Sequence, residues 1–210
     1  KEKSKKHYAT SDLWITTDAF EGTAKARVET MANKHEEKWV WVDLEMTGLD
    51  PETCVIIEVA VIITDNQLNE EAQYEGVIWQ PDARLEQMIP FVKQMHTANG
   101  LIQKVKKSEL KLEQAEDAIL EMLKTNVAEG KGLLAGNSVW QDRRFLTKYM
   151  PKVEAYLHYR QIDVSSLKVL ANAWHPKDGS PPNKSSNHTA LSDIRASMQE
   201  LQFYRHRFFK

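Results

Sequence analysis

Asp43 and Glu45 stand one residue apart at the end of the apolar run Trp39-Val40-Trp41-Val42. In an extended chain, residues i and i+2 project from the same face, so the two carboxylates share a side with Trp39 and Trp41. Ionised acids this close repel, and burying them without a partner is costly, so the pair points to a divalent cation between them. The alternative is a strand that ends at the surface with its acids in water. Two further acids bear on the choice. Asp142 falls at helical spacing with Phe145, Leu146 and Tyr149, an acid on an otherwise apolar stripe, while Arg143, Arg144 and Lys148 lie towards the other side. It could also simply occupy a first helical turn, where negative charge suits the helix dipole. Near the C-terminus Leu191, Ile194, Met198, Leu201, Arg205 and Phe208 define a stripe that is apolar apart from Arg205, with Asp193 on its flank. His188, just ahead of that helix, reads alone as a surface or capping histidine. Its spacing to Asp193 makes it a candidate base, partly solvated and able to exchange protons near neutral pH.

Four carboxylates exceed what one divalent ion usually takes from a protein. They suit two hard cations about 4 Å apart, as in phosphoryl-transfer sites, with oxygen ligands favouring Mg2+ or Mn2+ over zinc. One cation would lower the pKa of an attacking water, the other would stabilise the leaving oxygen, and His188 would take the water's proton.

The elements that must position these groups follow from pattern. Strands are expected over 39–44, 55–64 and 74–79, with short turn-forming stretches between them that favour antiparallel neighbours. Helical patterns follow over about 85–95, after Asn99, and over 112–126. A short apolar strand over 133–136 precedes a helix over about 139–150 that stops at Pro151, and a strand over 159–163 precedes a helix over 165–174. The segment 175–187, with Pro176, Gly179, Pro181 and Pro182, reads as a surface loop, and a long helix over 189–207 closes the chain. Strands first and then alternating helices and strands indicate one α/β domain with a mixed five-stranded sheet flanked by helices, spanning 39–210.

Residues 1–38 are polar and without sustained periodicity and read as an N-terminal extension. Their acids make them a poor mitochondrial transit signal, although a mitochondrial address remains the alternative to a cytoplasmic one. With 28 basic and 30 acidic residues the formal charge is -2, so any polyanion must be held by local basic groups or by metal. The single cysteine, Cys54, excludes an internal disulfide, and the chain has no long apolar run, which together read as an intracellular protein with no membrane partner. Trp39, Trp41 and Trp79 read as core, and Lys104, Lys106 and Lys107 as a solvated helix face.

Several phrases occur in register with a known family: Trp41-Val42-Asp43-Leu44-Glu45-Met46-Thr47-Gly48-Leu49, Ala135-Gly136-Asn137-Ser138, Asp142-Arg143-Arg144-Phe145-Leu146, Leu157-His158-Tyr159-Arg160, Ile162-Asp163-Val164-Ser165 and His188-Thr189-Ala190-Leu191-Ser192-Asp193. From about Lys38 onward the chain resembles the four-acid-plus-histidine exonucleases with a ribonuclease H-like fold, and within them oligoribonuclease. The resemblance implies a homodimeric, metal-dependent 3′-to-5′ exoribonuclease that cuts very short RNAs, chiefly dinucleotides, into 5′-mononucleotides. It implies that Asp43, Glu45, Asp142 and Asp193 hold two divalent ions and that His188 is the general base. It further implies that Leu49 parts the two bases, that Ser138 and Ser165 bind the substrate's 5′ phosphate, and that Tyr159 and Arg160 reach that end from the second subunit. Phe91 stands where many relatives carry a base-stacking tryptophan, and Ser192 where they often carry a second aspartate. Without the family pattern, Ser138 reads equally as a helix cap, and Tyr159 and Arg160 as ordinary edge-strand residues. A nuclease of longer strands, or an RNA-binding protein that kept the fold without turnover, are the competing functions.

Overall fold

The computed structural model describes residues 37–181 and 189–209. Five strands, β1 (Lys38–Met46), β2 (Ile56–Thr64), β3 (Glu70–Val77), β4 (Gly132–Gly136) and β5 (Gln161–Asp163), form one mixed sheet in the order β3-β2-β1-β4-β5. β1, β2 and β3 pair antiparallel, as their short connections require, whereas β1, β4 and β5 run parallel. Parallel neighbours need crossovers, and here helices supply them. Between β3 and β4 lie α1 (Asp82–Glu86), α2 (Pro90–Ala98), α3 (Leu101–Lys107) and α4 (Leu112–Asn126). Between β4 and β5 lie α5 (Trp140–Tyr149) and α6 (Pro151–Tyr156), and α7 (Val164–Trp174) and α8 (Ala190–Phe208) follow β5.

β2 is buried along its whole length, and β1 lies at the centre of the sheet. The strand alternation then divides the side chains between two cores. Val40, Val42 and Leu44 face Ala115, Ile119 and Leu123 of α4, Phe145 and Leu146 of α5, and Val153 of α6. Trp41, with Ala60 and Ile62 of β2, faces Val164 and Ala171 of α7 and Ile194, Met198, Leu201 and Tyr204 of α8. Asp43 and Glu45 continue the parity of Trp41, so they point towards the face that α8 covers.

The sheet, its strand directions and its helical layers match the sequence expectation of a mixed five-stranded α/β domain, with several corrections. β1 begins at Lys38, where the Nζ meets Glu71 Oε1 at 2.6 Å and is buried. β3 lies over Glu70–Val77 and not over 74–79: it is a polar, half-exposed edge strand that hydropathy alone does not reveal. Trp79 falls outside it, 38 % exposed, with the Lys111 ammonium 3.5 Å over its ring, so it is not a core residue. The helical pattern over 85–95 is two helices, because Pro90 cannot continue α1 but suits the first turn of α2. Pro151 likewise both ends α5 and starts α6. Tyr159 and Arg160 precede β5 and are exposed, not edge-strand residues. The N-terminal extension, apart from residues 37 and 38, and residues 182–187 of the expected loop, together with His188, lie outside the described residues.

Phe145 is fully buried and stacks on Tyr149 with ring centroids 6.0 Å apart, three residues from Asp142 on the same helix. Phe145→Ala is expected to lower stability by about 3–5 kcal/mol, read from urea unfolding of the full chain. A loss below about 1 kcal/mol would show that α5 is not anchored through this ring.

Candidate active site

The cluster forms where β1 ends. A register shift between Glu45 and Met46 marks a bulge at this point, a device that re-aims side chains beside functional sites. α8 lies across this face with Thr189 as its N-cap, the threonine hydroxyl accepting from Ser192 N–H, and so presents Asp193 in its first turn. Asp43, Glu45 and Asp193 each offer a carboxylate oxygen within 4.8 Å of the others. Asp142 arrives from the opposite layer. It lies in the first turn of α5, 7 % exposed, and its Oδ1 accepts the Leu44 N–H at 3.0 Å.

Crowding acids out of water changes their chemistry. Burial, followed by Asp142, Glu45, Asp193 and Glu58, holds the Asp43 carboxyl well above the usual carboxylate range. Burial, then Glu58, Asp193 and Asp142, pushes Glu45 up to about 8. Asp142 is pushed up to about 7 by burial, against the opposing effect of the Leu44 N–H. The donor set is all oxygen, partly buried and mutually repelling, which fits a hard divalent cation.

Two neighbours escaped sequence reasoning. Glu58 of β2 pairs in register with Glu45, is 1 % exposed, and accepts the Ala190 N–H through Oε2 at 3.2 Å. The available signal was a lone acid inside the run Ile56-Ile57-Glu58-Val59-Ala60-Val61-Ile62-Ile63, the same kind of signal that marks Asp142. His96 of α2 is fully buried, with Nε2 3.0 Å from the Met46 carbonyl oxygen and 3.8 Å from Glu45 Oε2. Burial lowers its pKa, against the opposing effect of the Met46 carbonyl. No periodicity in α2 distinguishes it.

Of the remaining predicted residues, all but His188 lie among the described residues. Leu49 follows β1 and is 68 % exposed, its backbone carbonyl accepting from Gln141 Nε2 and from Arg144 Nη1 at 3.4 Å. Phe91 is 73 % exposed at the start of α2, the helix that carries His96. Ser138 does not cap α5. Its hydroxyl donates to Ser165 Oγ at 3.1 Å, which brings the ends of β4 and β5 together. Tyr159 stacks on His158 at 4.4 Å, with the Arg160 guanidinium 5.4 Å from its own ring centroid, and Arg143 grips both the His158 and Tyr159 carbonyls. His188 lies outside the described residues.

The chain matches the family model described as Exonuclease over residues 40–201. It is 50 % identical over 175 residues to the oligoribonuclease of Marinobacter nauticus and 48 % identical over 176 residues to that of Vibrio cholerae, in each instance covering 83 % of this chain and 97 % of the relative. The chain belongs to the oligoribonuclease family. Among solved structures, exonuclease I from Methylocaldum szegediense superposes with a TM-score of 0.62 at 20 % identity, covering 82 % of this chain and 41 % of that one. E. coli exonuclease I in complex with a dT13 oligonucleotide gives 0.62 at 16 % identity, covering 82 % of this chain and 42 % of that one. These neighbours share the ribonuclease H-like fold, and this chain spans less than half of their length. Among the described residues no helix is long and apolar enough to cross a membrane.

The raised carboxyl pKa values fix the sign of a pH dependence. The folded chain favours the protonated acids, so this contribution to stability is complete below their ordinary values of 4.5 for Glu45 and 3.8 for Asp142. It is lost as pH rises through about 8 and about 7 respectively. In chelator, the melting temperature should therefore fall between about pH 5.5 and about pH 8.5, and Mg2+ or Mn2+ should raise it more at the higher pH, where the ligands are deprotonated. Glu45→Gln should flatten the fall in chelator. A metal-free protein whose stability rises over this range would contradict the burial account.

Proposed function

We propose that this exoribonuclease removes 5′-mononucleotides from the 3′ ends of very short RNAs, chiefly dinucleotides, by two-metal-ion phosphodiester hydrolysis. The observation that carries the proposal is the convergence of Asp43, Glu45 and Asp193, with Asp142 beside them, in a chain half identical to oligoribonucleases. Asp43, Glu45, Asp142 and Asp193 would hold two divalent ions, Mg2+ or Mn2+. When bound, these ions supply the positive charge that lowers the pKa of an attacking water and stabilises the departing oxygen.

The chain's own residues do the rest. His188, next to the N-cap of α8, takes the water's proton as general base. Leu49 stands as an exposed apolar wedge between the two bases, and Phe91 offers an aromatic face for stacking, with less area than the indole it replaces. Ser138 and Ser165 receive the 5′ phosphate of the substrate. In a homodimer, Tyr159 and Arg160 of the second copy close that end, and closure gives the length limit its physical cause, since a longer strand has no exit. Residues from Lys38 onward form the exonuclease domain and the preceding residues an extension, in a protein that acts inside the cell.

Incubated with Mg2+, a labelled RNA dinucleotide should yield mononucleotides, with rates falling steeply as the strand lengthens. Asp142→Ala should abolish turnover, and His188→Ala should lower kcat by about 10²–10⁴-fold, the range of positioned general bases. Full activity of Asp142→Ala would refute the metal site, and a preference for long strands would refute the length limit. The mass of the protein in solution tests the dimer.

A further inference from the structure

Asp163 has no task in the reaction above, yet it organises the place where two hydroxyls meet. Its Oδ1 accepts the Ser138 N–H and the Ser165 N–H, both at 2.9 Å. One carboxylate oxygen thus ties the turn after β4 to the first turn of α7. Strand pairing does not make this tie, because the β4–β5 ladder ends with Gly136 opposite Asp163, two residues short of Ser138. Ser138 also has φ 51°, a left-handed backbone that a non-glycine residue keeps only when its surroundings hold it.

In that conformation Ser138 Oγ donates to Ser165 Oγ at 3.1 Å, and Ser165 Oγ donates to Asn137 Oδ1 at 3.1 Å. The Asn137 amide is itself turned by Nδ2, which donates to Ser197 Oγ at 2.8 Å and to Glu200 Oε2 at 3.3 Å. The two backbone N–H groups are engaged by Asp163, so an anion arriving here meets hydroxyls, and the spacing of those hydroxyls decides what it gains.

We propose that Asp163 is a positioning residue: by gripping both backbone N–H groups it sets the Ser138 and Ser165 hydroxyls, and through them the preference for a 5′-phosphorylated over a 5′-hydroxyl dinucleotide. The proposal rests on the exoribonuclease reading and on a 5′ phosphate at this serine pair. If Asp163 served only as the N-cap of α7, its loss would weaken the protein towards every substrate alike.

The test compares kcat/KM of the full-length protein on a 5′-phosphorylated RNA dinucleotide, on its 5′-hydroxyl counterpart, and on the p-nitrophenyl ester of thymidine 5′-monophosphate, which has no second nucleotide. Asp163→Ala should reduce the preference for the phosphorylated dinucleotide by about tenfold, the effect of losing a cap-strength contact, and leave the ester within about twofold. Asp163→Asn, whose amide oxygen accepts the same two N–H groups, should keep most of the preference. Should Asp163→Ala not fold, Asp163→Ser, too short to reach both groups, should show the same fall. An unchanged preference in these shortened variants, a parallel loss on all three substrates, or an Asn variant as impaired as the Ala variant overturns the proposal. So does a wild-type protein that cleaves both dinucleotides equally well. A wild-type protein that hydrolyses none of the three instead refutes the exoribonuclease reading.

Discussion

Four carboxylates, with Glu58 as a fifth behind them, converge at the end of one central strand, and their mutual repulsion is the constraint to which the surrounding structure answers. Burial raises the carboxyl pKa values of Asp43, Glu45, Asp142 and Glu58 together, so the site is unfavourable to its own ionised form. The fold offsets part of this cost with backbone dipoles. Asp142 and Asp193 both lie in the first turns of their helices, so α5 and α8 aim their positive N-terminal ends at the cluster. Leu44 N–H answers Asp142, and Ala190 N–H answers Glu58. What these donors leave uncompensated is the electrostatic demand that a divalent cation meets.

The sheet order explains why such a site forms at this place. β1, β4 and β5 run parallel, so their carboxyl ends lie side by side, the position at which open α/β sheets bind ligands. The strand end of β1 carries Asp43 and Glu45, the turn after β4 carries Ser138, and the end of β5 carries Asp163 and leads to Ser165. The acids and the hydroxyl pair therefore belong to one continuous edge, with Leu49 held against α5 through its carbonyl. The antiparallel strand β2 pairs along the other side of β1, with β3 beyond it, and β2 adds Glu58 opposite Glu45.

Much of this was legible in residue pattern, because each period reports one face of one element. The i, i+2 spacing of Asp43 and Glu45 put them on the face of Trp41, which lies in one core, and the 3.6-residue stripe put Asp142 with Phe145 and Leu146, which lie in the other. Pattern failed where polarity or proline masks an element. β3 is an edge strand rich in Glu and Gln, α6 starts on the proline that ends α5, and Trp79 sits beyond its strand under a lysine. Glu58 and His96 went unassigned for a related reason: an isolated polar residue in a buried element carries no period of its own.

The sequence by itself determined the mixed α/β class, most of the strands and helices, the sides on which the acids of β1 and α5 lie, and the family. Only the tertiary structure decided which groups meet. Leu44 and Asp142 are 98 residues apart, Glu58 and Ala190 are 132 apart, and Ser138 and Asp163 are 25 apart, yet each pair is joined by a hydrogen bond. Local periodicity ends with the element that carries it, whereas these contacts depend on strand order and on the parallel alignment of β1, β4 and β5. That alignment turned separate acids into one electrostatic site, and it made Asp163, inconspicuous in the chain, the link between two serines.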